Sequence, residues 1–331
     1  SLLGKINWIQ SRARFDASYD FSRCASKAAN PTIEDLRTLN TLCRKIRATH
    51  VHLRFWPLDK GTMPRWRLVG YPDAGYQNNK PDKTSQRGQC IFVCEPRNQA
   101  RLKHLNHVHQ YDARGSLIDY ESHKIKKTVL STTVAELYSL MKCFGTYLFM
   151  RGLWMDLTGE IADVHIRTDA KNLVTTAMTT HIPEQKETMH MIQMLRHDAC
   201  SGQIDDLAHV ESEDMMADCL TKANCPNTKF LVQAVESGWL PRCDKQMPFR
   251  EMMEGKHKAF FMKFLFEYVP IAPEVPAFLG EDIRDDIQRH IEQLDIRPRY
   301  PNGRNRSTHY VMEHCPVEQS VVEQRLSLIH I

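Results

Sequence analysis

The sequence has little of what marks membrane, secreted or fibrous proteins. Only 14 of its 331 residues are glycine and 16 are proline, which excludes a collagen-like or low-complexity chain. It has no uncharged apolar run of about 18 residues, so no membrane-spanning helix and no membrane partner are predicted. Its ten cysteines form no Cys-x-x-Cys pair, and no secretory signal precedes them. We therefore expect reduced thiols in an intracellular protein, cytoplasmic or nuclear and not secreted.

The chain also lacks a large excess of charge of one sign, since its net charge is only +4, but the basic residues are unevenly distributed along it. Residues 1–60 contain eleven Lys or Arg against five acids. This excess favours either contact with phosphates or a solvated helical face. Apolar residues at steps of three and four predict a helix over 31–47, with Thr32 or Asn30 as its cap.

A stretch from Pro57 to Pro64 predicts a boundary near residue 60. Beyond it, strands are predicted at 66–73, 89–94, 117–124, 163–169 and 206–210. Helices are predicted at 133–148, where Thr133 and Glu136 match a capping box, and at 170–174, 183–200 and 213–222. This order predicts an α/β fold with a mixed sheet flanked by helices, in which the first three strands form a meander and later ones are joined by crossovers.

The predicted organisation has three parts. Residues 1–60 form a basic helical segment, 61–225 form the α/β domain, and 226–331 form an extension of unknown role. The extension contains one amphipathic helix candidate at 281–294 and a run from Arg297 to Ser307 with a flexible composition. The missing initiator Met leads us to expect a piece of a longer polyprotein.

Four acids occupy distinctive places in this pattern. Asp73 is predicted at the end of the first strand, Asp169 at the end of the fourth, Glu136 in the first turn of the long helix and Asp218 in the last short helix. Each side chain can then reach a shared cleft. Clustered carboxylates suit two Mg²⁺ or Mn²⁺ ions, which promote in-line phosphodiester hydrolysis. With 40 acids in the chain, residue type alone is a weak signal.

Ordered motifs around these acids resemble one known family. They are Gly70-Tyr-Pro-Asp73-Ala-Gly-Tyr, Ser85-Gln-Arg-Gly-Gln-Cys-Ile-Phe-Val, Leu130-Ser-Thr-Thr-Val-Ala-Glu136-Leu, Ile166-Arg-Thr-Asp169-Ala-Lys-Asn and Glu213-Asp-Met-Met-Ala-Asp218-Cys-Leu-Thr-Lys. Together they resemble the ribonuclease H domain of copia-type retrotransposon Pol polyproteins. The resemblance implies a ribonuclease-H-like fold, the four acids as catalytic metal ligands, and hydrolysis of the RNA strand of RNA–DNA hybrids to 3′-hydroxyl and 5′-phosphate ends. It implies no small-molecule cofactor.

The N-terminal segment is similar to the connection between polymerase and ribonuclease H in the same polyproteins. Arg14-Phe-Asp16 stands where the family usually has Arg-Pro-Asp. The paired-Asp hairpin of the polymerase is absent from the sequence, so this chain is not expected to polymerise DNA. The resemblance implies that the rest of a Pol polyprotein, including its reverse transcriptase domain, is a partner.

Basic residues near the acids are candidates for contact with the nucleic-acid backbone. Lys124, Lys126 and Lys127 precede the long helix, and Lys171 and Asn172 follow Asp169 at a predicted helix start. The alternative is an ordinary solvated surface, on which lysines also protect a strand edge. His104, His107 and His109 lie in a polar segment without metal-ligand spacing, and no site is predicted there.

Some positions depart from the family pattern. Pro72 lies within a predicted strand, Gly75 replaces a further acid, and the segment 97–114 lengthens the distance between the first two acids. A non-catalytic remnant of a decayed element, either nucleic-acid-binding or structural, therefore remains an alternative. A related DNA-cleaving nuclease of similar fold is disfavoured by the Ala-Asp-x-x-Thr-Lys ending.

Overall fold

One mixed β-sheet organises the part of the chain that the computed structural model describes, namely residues 1–59, 65–79, 82–96, 111–177 and 186–241. Its strands are β1 (Arg67–Asn79), β2 (Thr84–Cys94), β3 (Tyr111–Lys124), β4 (Asp163–Thr168), β5 (Asp206–His209) and β6 (Trp239–Pro241). Their spatial order is β5-β4-β1-β2-β3-β6. Neighbouring strands from β1 to β3 and on to β6 are antiparallel, whereas β1, β4 and β5 are parallel. The predicted meander and crossovers are confirmed.

Seven α-helices accompany the sheet in these residues. They are α1 (Leu2–Arg12), α2 (Ser18–Ser26), α3 (Ile33–Ala48), α4 (Thr132–Thr158), α5 (Lys171–Ala177), α6 (Lys186–Cys200) and α7 (Thr228–Ser237). The short helix predicted at 213–222 is instead a pair of 3-10 turns, Ser212–Asp214 and Met216–Leu220. No helix among the described residues is long and apolar enough to span a membrane.

Two helix starts test the predicted caps. Thr32 caps α3 in a capping box with Asp35, which confirms the first alternative. For α4 the predicted cap was wrong, because the Ser131 hydroxyl accepts from the backbone N–H of Val134 at 3.3 Å. Glu136 is therefore not engaged in a capping box and is available for another role.

Strand alternation sorts the core into two faces of the sheet. Leu68 and Ile91 face the core beneath α4, α5 and α6, whereas Val69 and Phe92 face the opposite core. This second core contains the Met216–Leu220 turn and α7. The sheet is therefore covered on both faces.

Segments on both sides of the predicted α/β domain share this second core. Phe15 is fully buried in it, as are Leu231 and Val235 of α7. Tyr120 on β3 donates its hydroxyl to the Gln10 carbonyl at 2.5 Å. The limits predicted at 60 and 225 thus fall between segments that pack together, and the three-part division stays a prediction.

The described residues have the predicted ribonuclease-H-like architecture: an antiparallel meander continued by two parallel strands, with helices on both faces. Several sequence features lie outside the described residues: 97–110 of the lengthened segment with its three histidines, the helix predicted at 281–294, and the run 297–307. Pro72 lies two residues past the last β1–β4 pair, Gly70 with Ile166, so it removes no hydrogen bond from that ladder.

Candidate metal centre

Asp73 and Asp169 are brought together by the register of two parallel strands. Gly70 on β1 pairs with Ile166 on β4, and three residues further along each chain are Asp73 and Asp169. Asp73 was predicted at a strand end. In the structure β1 continues to Asn79, and what ends before Asp73 is the pairing with β4. Asp169 directly follows the last residue of β4, as predicted.

Asp218 reaches the same place from the Met216–Leu220 turn. This turn crosses β2 at Gly88, which pairs with Asp73. A Cβ at Gly88 would lie 2.7 Å from the Cβ of Leu220 and 2.8 Å from Cγ2 of Thr221. Because no side chain separates them, the turn approaches β2 closely enough to set Asp218 beside Asp73.

Glu136 is positioned by the first turns of α4. Ser139, on the next turn, donates its hydroxyl to the Asp73 carbonyl at 2.7 Å, which ties α4 to β1 at this level. The Glu136 carboxylate also accepts from the backbone N–H of Ala74. Glu136 is 9% exposed, and its Oε2 has no hydrogen-bond partner among the described residues.

Three of the four predicted acids converge tightly. One carboxylate oxygen each of Asp73, Asp169 and Asp218 lies within 4.8 Å of the others. Glu136 is outside this group of three but lines the same cavity of about 430 Å³, together with Asp73, Asp169 and Lys222. Asp73, Glu136 and Asp169 thus share one cavity, and Asp218, which is not among its lining residues, is joined to it by its closeness to Asp73 and Asp169.

Polar neighbours hold each carboxylate in place. Thr221, which is fully buried, donates its hydroxyl to Asp73. Ser212 donates to Asp169 at 3.2 Å. Asp218 is held on both oxygens, by the ammonium of Lys222 and by the Asn227 amide at 3.1 Å. These contacts orient the acids relative to one another.

The acids perturb one another because they are buried together. Burial raises the pKa of Asp73 from 3.8 to about 7, with Asp218 and Asp169 adding to the shift. Burial and the Asp73 charge likewise raise the pKa of Glu136 well above its ordinary value. Burial and Asp218 raise the pKa of Asp169. Close carboxylates of this kind are stabilised by a cation or by taking up protons.

This donor set fits a hard divalent cation. All the converging ligands are carboxylate oxygens, which bind hard cations such as Mg²⁺ and Mn²⁺ in preference to softer metals. Glu136 also lines the cavity, and its buried Oε2 has no hydrogen-bond partner among the described residues. The like charges of three converging acids and the unsatisfied oxygen of the fourth are compatible with a bound cation.

The predicted backbone-binding residues are not among those that line this cavity. Lys124, at the end of β3, is ion-paired with Asp82. Lys126 and Lys127 are exposed in the connection to α4. Lys171 and Asn172 are exposed at the start of α5, two and three residues after Asp169.

Sequence reasoning missed the residues that support the acids. Thr221 and Lys222 follow Asp218 by three and four residues, a spacing that places side chains on one side of a helical turn and was a usable signal. Ser212 and Asn227 carried no local signal, because their roles depend on long-range folding.

Comparison with solved structures finds similarity to ribonucleases H. LC11-RNase H1, isolated from compost and solved in complex with an RNA/DNA hybrid, has 16% identity over 47% of this chain and 94% of that chain, with a TM-score of 0.33. The N-terminal RNase H domain of rv2228c from Mycobacterium tuberculosis has 13% identity over 52% of this chain and 96% of that chain, with a TM-score of 0.32.

A third similar structure is RNase H1 from the halophilic archaeon Halobacterium salinarum, with 13% identity over 47% of this chain and 94% of that chain, and a TM-score of 0.31. No protein-family model matches the chain. No curated protein matches it.

Proposed function

We propose that this protein is a metal-dependent nuclease of the ribonuclease H type that hydrolyses the RNA strand of RNA–DNA hybrids. The observation that carries the proposal is the convergence of carboxylate oxygens of Asp73, Asp169 and Asp218 within 4.8 Å, beside a cavity that Asp73, Asp169 and Glu136 line. The ordered motifs around these four acids support the same activity by resemblance.

The four acids would hold two Mg²⁺ ions, or Mn²⁺ in their place. When bound, such ions activate water and stabilise the leaving oxygen in an in-line displacement. The protein's own contribution is to present the carboxylates in fixed orientations. Thr221 fixes Asp73, Ser212 fixes Asp169, and Asn227 fixes Asp218. Such supporting contacts commonly change metal affinity or activity by about 10- to 100-fold.

Substrate choice in this proposal depends on the shape of the hybrid and on the 2′-hydroxyl rather than on base identity. The exposed residues Lys126, Lys127, Lys171 and Asn172 would contact the sugar-phosphate backbone. Lys124 would join them by exchanging its ion pair with Asp82 for a phosphate.

The origin of the chain is a separate part of the proposal. The motif resemblance favours a copia-type Pol polyprotein, with residues 1–60 derived from the connection to the reverse transcriptase domain and 61–225 forming the nuclease. The rest of that polyprotein would then be a partner.

A cleavage assay on the full chain tests the activity. The protein is incubated with an end-labelled RNA–DNA hybrid, the same sequence as duplex DNA, and the free RNA, in Mg²⁺, Mn²⁺ or EDTA. We expect metal-dependent cleavage of RNA in the hybrid alone. Asp169→Asn should abolish it, while Asp156→Asn, an exposed acid on α4, should not.

Two outcomes would contradict the proposed activity, and a third would contradict the proposed site. Hybrid binding that weakens with salt and is never followed by cleavage would favour the non-catalytic remnant. Cleavage of duplex DNA would favour the related DNA nuclease. An active Asp169→Asn protein would contradict the site assignment.

A further inference from the structure

A lysine side chain, Lys222, lies among the acids of the cavity. Lys222 lines it together with Asp73, Glu136 and Asp169, and its ammonium forms an ion pair and hydrogen bond with Asp218. The Lys222 side chain is 45% exposed and that of Asp218 is 11% exposed, so the ammonium contacts the acids from the solvent side.

The backbone fixes this position. The N–H of Lys222 donates to the Asp218 carbonyl at 2.9 Å, and that of Thr221 donates to the same oxygen at 3.1 Å. One turn of chain therefore supplies the Asp218 carboxylate, the Thr221 hydroxyl that donates to Asp73, and the Lys222 ammonium that pairs with Asp218. The side chain of Lys222 is long and nearly half exposed, so it has room to move away from Asp218 without disturbing this turn.

The two oxygens of Asp218 have different partners. Asn227, which is buried, donates to Oδ2, whereas Lys222 donates to Oδ1. The Asn227 amide is uncharged and also donates to the backbone at Ser212, so it belongs to the fixed framework. A divalent ion that takes Asp218 as a ligand would compete with the Lys222 ammonium for Oδ1, and the two cations would repel each other.

We propose that Lys222 is a built-in counter-ion that neutralises the acidic cavity in the metal-free protein and must be displaced from Asp218 when a divalent ion binds. This inference rests on the proposed metal centre, which it deepens. In this role Lys222 lowers the affinity of the centre for metal. The lysine stabilises the metal-free fold and thereby raises the metal concentration at which the centre becomes occupied. It is not a ligand, and no role in bond cleavage is assigned to it.

Metal binding to the full chain tests this assignment. Free Mn²⁺ is measured by electron paramagnetic resonance during titration of the metal-free wild type, Lys222→Gln, Lys222→Arg and Lys229→Gln. Lys229 is an exposed lysine on α7, and its variant controls for the loss of one positive charge. We expect Lys222→Gln to lower the Kd for Mn²⁺ by about tenfold, with the other two variants near the wild type.

Thermal unfolding in EDTA gives a second readout that needs no metal. Lys222→Gln should lower the melting temperature more than Lys229→Gln does, and saturating Mn²⁺ should close that gap. If Lys222→Gln is unfolded in EDTA, refolding on addition of Mn²⁺ supports the counter-ion role and failure to refold contradicts it.

The possible failures are distinguishable. If the wild type binds Mn²⁺ and Lys222→Gln binds it with equal or lower affinity, the counter-ion role is wrong and the metal centre stands. If Lys222→Arg matches Lys222→Gln, the charge of the side chain is not what matters, and the role is again wrong. If neither wild type nor Lys222→Gln binds Mn²⁺, both the inference and the proposed metal centre are wrong.

Discussion

Asp73 on β1 and Asp169, which directly follows β4, each lie three residues beyond the paired residues Gly70 and Ile166. Pairing between β1 and β4 stops before these acids, and both line the acidic cavity. The Met216–Leu220 turn, which crosses Gly88, then adds Asp218. The acidic cavity is therefore a direct result of strand register and one close approach of backbone.

The acidic cavity predicts an unusual pH dependence of stability. The pKa of Asp73 is raised to about 7 in the fold, from an ordinary value of 3.8, because of its burial and its acidic neighbours. A raised carboxyl pKa stabilises the fold fully below about pH 4, and that contribution is lost as pH rises to about 7. The metal-free protein should therefore lose up to a few kcal/mol of unfolding free energy from this group between pH 4 and 8.

Asp73→Asn is the variant that isolates this effect. In EDTA, the unfolding free energy of Asp73→Asn minus that of the wild type should be larger at pH 8 than at pH 5. Saturating Mg²⁺ should reduce the value of this difference at pH 8. Asp156→Asn, at an exposed position, should show no such pH-dependent difference. The unfolding free energies are measured by urea titration at each pH. If they change in parallel with pH for the wild type and Asp73→Asn, Asp73 does not carry an unfavourable buried charge.

Thr221→Val tests the hydroxyl that holds Asp73. The substitution keeps the shape of the side chain but removes the donor, so a buried carboxylate loses a partner. We expect a loss of about 1–3 kcal/mol in unfolding free energy, and about 10-fold weaker Mn²⁺ binding because Asp73 is no longer oriented. Isothermal calorimetry and urea unfolding measure the two quantities.

The matched control is Thr175→Val, at an exposed position of α5 whose hydroxyl donates to the Lys171 carbonyl at 3.0 Å. It should leave Mn²⁺ affinity unchanged. Equal effects of the two substitutions on Mn²⁺ affinity would show that the Thr221 hydroxyl has no special role at the cavity.

Gly88→Ala tests the close approach of the Met216–Leu220 turn to β2. The new methyl group would lie 2.7 Å from the Leu220 Cβ and 3.1 Å from its carbonyl carbon, so the turn must move. We expect a destabilisation of about 1–3 kcal/mol together with weaker Mn²⁺ binding. Thermal unfolding and Mn²⁺ titration report these changes.

Gly145→Ala is its control and should act in the opposite direction. A Cβ at Gly145, within α4, meets nothing within 4 Å, and alanine favours helix by about 1 kcal/mol over glycine. If Gly88→Ala were tolerated as well as Gly145→Ala, the turn would not depend on the missing side chain at residue 88.

Phe15→Ala tests whether the N-terminal segment belongs to the folded core. Phe15 is fully buried against the sheet and makes an edge-to-face contact with Tyr120, with ring centroids 5.9 Å apart. Its truncation should cost about 3–5 kcal/mol. Trp8→Ala, at a side chain that is 67% exposed, should cost far less. Equal melting temperatures of the two variants would show that residues 1–59 are dispensable for the fold.

Local signals predicted the fold better than they predicted the surroundings of the site. Strand-like segments bounded by polar turns located the first five strands, with alternation noted in β4, and apolar spacing located α3, α4 and α6. Much of β1, β2 and β5 is buried at successive residues, so these strands do not show a simple alternation of buried and exposed positions. The strand β6 has only three residues, too few to show a pattern. Helix α7 was missed although its buried residues Leu231, Ala234 and Val235 fall at helical spacing, so the sequence did carry a usable signal there.

The acids themselves were found through motif order, but their mutual geometry was not. The placement of Asp73 beside Asp169 depends on strand register, and the approach of Asp218 depends on Gly88. Both depend on contacts between distant segments, so a local sequence pattern does not reveal them. The partner of each carboxylate, such as Ser212 for Asp169, comes from a distant part of the sequence. The misplaced cap of α4 has a related cause, since Ser131, Thr132 and Thr133 all have capping side chains and the sequence does not show which one is used.

The proposed nuclease activity is tested by the rate at which the full chain cleaves the RNA strand of a labelled hybrid as Mg²⁺ is titrated from zero. We expect no cleavage without the ion, saturable cleavage with it, and no cleavage at any Mg²⁺ concentration by Asp73→Asn. Cleavage in EDTA, or a wild-type rate from Asp73→Asn, would contradict it.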